Sequence, residues 1–372
     1  MAPPRGLAGQ NPAGLTYSQK VRIKQTHTGA SRERGELALL AEIRQRAARA
    51  ASLGQKGGLS LGIGDDCALL TPRRGDELAV TTDLLIDGSH FHLNWHQPET
   101  VGHRAMARGL SDLAAMGARP VAAFLSLGLP RSLTMDSAVS RRTGSRSWVQ
   151  RFLDGFLALA KAYKTPLAGG DLAESTLAVA DIVLIGAVPR GRALLRSGAK
   201  PGDLLYVTGT LGGAAAGLTR LSELASSAEP NPPRIPKKLE ALLAPHLYPQ
   251  PRIAQGLWLQ RRGLASAALD LSDGLSTDLA HLCVESGVAA EIDATLVPLG
   301  LGANLAQALH GGEDYELLFT APPAARLPRA IARVPVTRIG RILKPRAAHP
   351  DLTLITPQGP RPLEAKGWEH FC

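Results

Sequence analysis

Carboxylates joined to glycine, each beside an apolar run, recur at places far apart in the chain: Gly64-Asp65-Asp66, Gly169-Gly170-Asp171, Asp270-Leu271-Ser272-Asp273-Gly274 and Gly311-Gly312-Glu313-Asp314, with Thr81-Thr82-Asp83 closing another apolar run. Hard cations such as Mg²⁺ take oxygen donors of this kind, and glycine lets backbone approach a phosphate closely. The set describes half or more of a metal and phosphate site, in which cations bridge phosphate oxygens. Taken singly, Gly-Asp pairs also punctuate ordinary loops; their recurrence is what favours chemistry. Asp112 lies in Ser111-Asp112-Leu113-Ala114-Ala115-Met116, among small and apolar side chains where a charged acid needs a partner. Two accounts stand for it: an ion pair with Arg108 one turn earlier, or a metal at the domain centre.

Familiar alternatives are missing. The chain has no Gly-Lys dipeptide and therefore no GxxxxGK[ST] loop, and Gly62-Ile63-Gly64 runs on into Asp-Asp-Cys rather than completing GxGxxG. HExxH and the protein-kinase signature set are also absent.

The elements that must position these acids alternate between strand and helix, which indicates an α/β or α+β layer. Leu37, Leu40, Ile43 and Ala47 keep a helical spacing over 35–51. Short strands are expected at 59–63 and 78–82, each breaking into its acids, followed by a helix over 99–116 and a buried strand over 121–129. A polar, basic loop (131–147), a helix (148–163), a short strand ending at Gly169-Gly170-Asp171 and a strand over 177–188 complete a first domain. A hinge at 190–200 leads to strands at 203–208, 265–271, 288–292, 315–320 and 338–343 and helices at 211–224, 251–262 and 275–286. Residues 225–238 read as a proline-rich loop.

A chain of 372 residues that is 44% hydrophobic can build two domains. We expect a basic disordered extension over 1–34, an N-terminal ATP- and Mg-binding α/β domain over 35–188 and a C-terminal α/β domain over 189–372. No uncharged apolar run approaches the ~18 residues that cross a bilayer, and no signal core follows a basic start. Cys67, Cys283 and Cys372 are scattered, with no CxxC pair, so a reducing cytoplasm fits. The net charge of +10 invites a nucleic-acid reading. The chain from Met1 to Arg32 carries Arg5, Lys20, Arg22, Lys24 and Arg32 and no acid, further basic residues sit in two expected loops, and aromatics make up 4% of the chain without interleaving, so neither a stacking platform nor a specific nucleic-acid partner is expected.

GIGDDCALL (62–70), TTDLLIDGSHF (81–91), LSDLAAMGA (110–118), AGGD (168–171), RSGAKPGDLLYVTGTLGGAAAGL (196–218), LDLSDGLSTDL (269–279) and GGEDYELLFT (311–320) resemble the motif series of the thiamine-monophosphate kinase family, in that family's order. The resemblance covers nearly everything from about residue 58 onward. It implies the superfamily of aminoimidazole ribonucleotide synthetase and selenophosphate synthetase. The expected architecture is a two-domain PurM-like fold whose N-terminal strands form a dimer barrel, with the active site in the cleft between α/β domains.

The activity it implies is ATP-dependent phosphorylation of thiamine monophosphate to thiamine diphosphate with Mg²⁺, in a homodimer. By motif match, Asp66, Thr81, Thr82, Asp83, Asp112, Asp171, Asp270 and Asp273 would hold magnesium. Gly170, Arg196 and Ser272 would touch ATP, while His90, Glu313 and Trp368 would contact the thiamine phosphate. No catalytic base is expected, since the acceptor is itself a phosphate oxygen whose second pKa is ~6. Residues 172–175 and the loop at 131–147 depart from the family pattern. Competing functions are another acceptor within the superfamily, or a non-catalytic nucleotide- or polyanion-binding protein. Selenophosphate synthetases carry a reactive Cys before the first acidic motif; here Cys67 follows it.

Overall fold

The computed structural model describes residues 36–51, 58–64, 66–134, 146–227, 232–345 and 352–369. The basic extension, Asp65, residues 135–145 of the basic loop, residues 228–231 of the proline-rich loop and Cys372 lie outside the described residues. By contact the chain divides into two units, Met1–Glu42 and Ile43–Cys372; the fold and site belong to the second.

After helix α1 (Glu36–Ala51) come strands β1 (Leu59–Leu61), β2 (Leu69–Leu70) and β3 (Asp76–Ile86), helix α2 (Pro98–Ala115), strand β4 (Arg119–Leu129), the one-turn helix α3 (Arg131–Thr134), helix α4 (Trp148–Ala162), and strands β5 (Leu167–Glu174) and β6 (Val179–Pro189). Four strands form one sheet in the order β3-β6-β4-β5, antiparallel except for the β4/β5 pair. Alternation puts Leu85, Leu125, Ile182 and Leu184 inward, all buried. Helix α2 packs on this inner face and against α4. The two helices cross where side chains are missing: a Cβ on Gly102 would sit 1.9 Å from the Phe152 carbonyl oxygen, and one on Gly155 would sit 1.8 Å from that of Glu99. Ser147 opens α4 with a capping box, in which Ser147 N–H donates to Gln150 Oε1 and Gln150 N–H donates back to Ser147 Oγ.

The second half runs β7 (Leu204–Thr208), α5 (Gly213–Ser227), a 3₁₀ turn (Lys237–Leu239), α6 (Glu240–Leu247), α7 (Ile253–Arg262), β8 (Ala267–Asp270), α8 (Leu275–Ser286), β9 (Ala289–Asp293), α9 (Leu305–His310), β10 (Leu317–Ala321), β11 (Ala330–Ile331), β12 (Val334–Leu343), β13 (Leu352–Thr356) and β14 (Gly359–Pro362). Its sheet has the order β14-β13-β9-β12-β7-β10-β8, with β11 on β12. Leu205, Leu269, Leu279, Ile292, Leu318 and Ile339 lie in its buried core. Among the described residues no helix is long and apolar enough to cross a membrane.

Three local expectations are corrected. The Thr-Thr-Asp group lies within β3, not after it, because the in-out alternation continues to Ile86. Likewise Gly169-Gly170-Asp171 is carried inside β5. Helix α6 was not expected, since Pro245 within it and the neighbouring prolines hide its pattern.

Candidate active site

Helix α2 supplies the axis of the site. Arg104, Arg108 and Asp112 recur every fourth residue, and that spacing places them along one face. At the C-terminal end of this stripe, Asp112 Oδ2 accepts a short hydrogen bond from Thr81 Oγ1 on β3. Two residues farther along β3, on the same inner face, Asp83 Oδ1 accepts from Arg108 Nε at 3.3 Å. The second half adds Asp270, the last residue of β8, whose Oδ2 accepts from Ser111 Oγ at 2.7 Å. The ion pair of Arg108 is therefore made with Asp83 rather than with Asp112.

Three carboxylates this close, Asp270 buried and Asp83 and Asp112 half-buried, disfavour one another's ionisation. Burial first, and then the charge of Asp112, raises Asp83 to about 6. The same two causes raise Asp270 to about 7. Asp112 is also raised by burial, opposed by its bond from Thr81 and by the charges of Arg196 and Arg108. Asp83 Oδ2 is buried and, among the described residues, accepts no hydrogen bond. A carboxylate oxygen left so is costly unless something cationic meets it. The donor set, all oxygen from Asp and Thr, is of the kind that Mg²⁺ takes.

A cavity of about 670 Å³ opens from this cluster. Asp83, Asp112, Asp270, Ser272 and Asp273 line it together with His90, Trp95, Glu313, Tyr315 and Trp368. Trp368 is held there by backbone: its N–H donates to Asp273 O at 2.9 Å, and Gly367 N–H donates to Thr277 Oγ1 at 2.9 Å. The Gly311–Tyr315 turn is strained, with Glu313 at φ +66° and Tyr315 at φ +51°. Bonds from Glu313 N–H to Ser272 O (2.7 Å) and from Tyr315 N–H to Leu271 O (2.9 Å) secure it. Asp314 is used structurally, its carboxylate accepting from Gly212 N–H (2.6 Å) and Ala214 N–H (3.2 Å) where α5 begins.

Glu313 faces a buried polar network. Arg104, 1% exposed, gives Nη2 to both Glu313 oxygens at 2.6 and 2.7 Å. His246 Nδ1 lies 3.5 Å from Glu313 Oε2, and its Nε2 meets His96 Nε2 at 3.0 Å. Burial pushes Glu313 up, but Arg104 and Arg108 outweigh it, so the carboxyl sits below its usual range. Burial, then Arg104 and His246, hold His96 down to about 2, and burial drives His246 well below the imidazole range. Both rings are neutral at physiological pH.

Of the residues singled out in the sequence, Asp83, Asp112, Asp270, Asp273, Ser272, His90, Glu313 and Trp368 come together around this one cavity, and Thr81 bonds directly to Asp112. The rest do not line it. Asp66 is exposed. Thr82 lies on the opposite face of β3 from Asp83, and the register Leu84↔Asp181↔Ser126↔Asp171 puts Asp171 on that same outer face. Gly170 (φ +147°) is pressed against β4, where a Cβ would fall 1.8 Å from Leu125 O. Arg196 is exposed, though near enough for its charge to favour the ionised form of Asp112. The sequence reading missed Trp95, His96, Arg104, His246 and Tyr315. Arg104 was detectable one turn before Arg108, but no local signal joins His96 to His246, 150 residues away.

Residues 64–191 match the family model "AIR synthase related protein, N-terminal domain" and residues 200–349 match "AIR synthase related protein, C-terminal domain". The thiamine-monophosphate kinase of Escherichia coli (strain K12) is 41% identical over 326 residues, covering 84% of this chain and 93% of that one. The crystal structure of thiamine-monophosphate kinase from Stenotrophomonas maltophilia K279a superposes with a TM-score of 0.70 at 36% identity, covering 89% of this chain and 98% of that one. The structure of AaThiL complexed with AMPPCP and TMP gives 0.66 at 31% identity, covering 93% and 100%.

Proposed function

The chain belongs to the thiamine-monophosphate kinase family, within the AIR synthase related proteins, and we infer from its cleft how it carries out that reaction. It transfers the γ-phosphoryl group of ATP to thiamine monophosphate, giving thiamine diphosphate and ADP, in thiamine diphosphate biosynthesis. The observation that carries this is the meeting of Asp83 on β3, Asp112 on α2 and Asp270 on β8 around a cavity that Glu313 and Trp368 also line.

The buried, unpartnered Asp83 Oδ2 and the raised Asp83 and Asp270 fit a resident divalent cation. Asp83, Asp112, Asp270 and Asp273, with Thr81, would hold Mg²⁺, which when bound supplies charge cancellation across the β- and γ-phosphate oxygens. Ser272 takes the ATP side. Trp368, with His90 and Glu313, which line the same cavity, takes the thiamine end, where an aromatic face suits a thiazolium cation. The acceptor oxygen is anionic near neutral pH, so the protein has no proton to remove and its work is alignment of two polyanions. Transfer is direct and in line, without a phosphoenzyme. Asp66, Thr82, Asp171, Gly170 and Arg196 enter the site by motif match alone.

We place the reaction in the cytoplasm, where ATP is at hand, and assign the outer face of the first sheet to a second copy of the chain. Leu78, Val80 and Leu84 alternate along β3 on that face and are exposed, Val80 by 61%, which is unusual for a sheet face left to water. Incubation of the full chain with ATP, Mg²⁺ and thiamine monophosphate tests the function: thiamine diphosphate and ADP form in equal amounts. If ADP accumulates without the diphosphate, or neither forms, the assignment fails.

A further inference from the structure

We propose that Arg108 is a catalytic residue that grips the phosphoryl group in flight, an inference that rests on the thiamine-monophosphate kinase reaction above. Its position argues for this first. Along α2 the rise of 1.5 Å per residue separates Arg104, Arg108 and Asp112 by steps of about 6 Å. Arg104 bonds Glu313, and Asp112 belongs to the carboxylate cluster; Glu313 and Asp112 both line the cavity. Arg108 stands between Arg104 and Asp112 on the helix, where donor and acceptor phosphates must meet, and lines the cavity itself.

The quality of its contacts argues for it second. Arg104 is buried and does not line the cavity; its Nη2 gives to both Glu313 oxygens at 2.6 and 2.7 Å, while its Nε and Nη1 have no hydrogen-bond partner among the described residues, which makes it a positioning residue for Glu313. Arg108 reaches both anions loosely, Nε to Asp83 Oδ1 at 3.3 Å and Nη1 to Glu313 Oε1 at 3.6 Å, against ~2.7–2.9 Å for a strong charge-assisted bond. Asp83 also has a buried oxygen, Oδ2, that accepts no hydrogen bond among the described residues. Once that carboxylate is neutralised by a cation, the planar fork of Arg108 is left to bond two phosphate oxygens at once.

The step balances without a proton. A lone pair on the thiamine monophosphate phosphate oxygen forms the new O–P bond, and the bond from γ-phosphorus to the β,γ-bridging oxygen breaks, its electron pair leaving on ADP. Charge then spreads over the equatorial oxygens of the passing group, and a guanidinium at the junction stabilises that arrangement more than either ground state.

The test uses full-length Arg108→Met and Arg108→Lys. In each, kcat and KM for thiamine monophosphate are measured, together with calorimetric affinities for AMPPCP and thiamine monophosphate and the melting temperature. Arg108→Met is expected to lose roughly 10³-fold in kcat, the scale of an arginine acting on a transferring phosphoryl group, with affinities changed by less than about 3-fold. Added guanidinium ion should restore part of its turnover. Arg108→Lys keeps the charge without the fork, so it should fold even if the Met variant does not, and should still lose roughly 10-fold or more in kcat. Folded variants that keep kcat, or whose loss lies wholly in binding, would make Arg108 only a counter-charge for Asp83 and overturn the proposal. A wild-type protein that makes no thiamine diphosphate would instead overturn the reaction on which it rests.

Discussion

Ser111 Oγ, on α2, donates a 2.7 Å hydrogen bond to Asp270 Oδ2, at the end of β8. Both side chains are buried, and the bond ties the helix of the first sheet to the edge strand of the second at the carboxylate cluster. Ser111→Ala leaves a buried carboxylate oxygen without its donor, a loss of about 1–3 kcal/mol. Urea unfolding should show a lower midpoint with an unchanged slope. A midpoint equal to wild type would mean that the bond contributes nothing.

The carboxylate cluster sets a pH dependence whose sign runs against common acid denaturation. Unfolded aspartate titrates at ~3.9, whereas Asp83 and Asp270 sit at about 6 and about 7 in the folded chain. The folded state therefore holds more protons than the unfolded one across this interval, and the contribution of these groups falls as pH rises through it. The melting temperature of metal-free protein should drop between about pH 4 and 7, and Asp270→Asn should flatten the drop. Added Mg²⁺ should stabilise more at the alkaline end than at the acid end. A profile unaffected by Asp270→Asn would remove the cluster as its source.

Buried Arg104 and half-buried Glu313 form a charge pair at the cleft. Arg104→Met strands Glu313 beside neutral His246, a change of about 3–5 kcal/mol for a buried pair broken on one side. Thermal unfolding should show a fall of many degrees. A variant with wild-type stability would indicate that Glu313 finds another cationic partner, which Arg108 at 3.6 Å could supply.

How much of this was legible in the sequence differs by element. Asp83 and Asp270, each closing an apolar run, announced the cluster, whereas the glycine-joined Asp66 and Asp171 lie outside the cavity, and the long apolar stretches placed α2, β4, β8 and α8 within a residue or two at most boundaries. What the sequence could not tell was sidedness. Thr81, Thr82 and Asp83 are adjacent, yet a strand points Thr82 away from its neighbours, and this takes Thr82 and Asp171 out of the cavity that holds Asp83. Asp66 likewise lies outside it. The histidine pair was hidden for another reason: His96 and His246 meet only because a loop before α2 and helix α6 pack together, and a lone histidine carries no local pattern. Glu313 gained its meaning from Arg104, a contact across 209 residues.

The outer face of the first sheet predicts the oligomeric state. Val80→Lys places a charge at the most exposed position of the Leu78, Val80, Leu84 row and should convert a dimer of wild-type chains into monomers in equilibrium sedimentation. A monomeric wild type, or a dimer that survives the substitution, would assign that face to something else.

The central claim is that Asp83 and its neighbours hold the cation that lets two phosphates meet. Its most direct test is turnover of Asp83→Asn against wild type, with ATP and thiamine monophosphate saturating and Mg²⁺ varied, on protein whose fold is verified by circular dichroism. The account predicts a loss of roughly 10³-fold or more that excess Mg²⁺ does not recover, in keeping with the role of metal ions in phosphoryl transfer. Turnover within about 3-fold of wild type, with the same Mg²⁺ dependence, would contradict it.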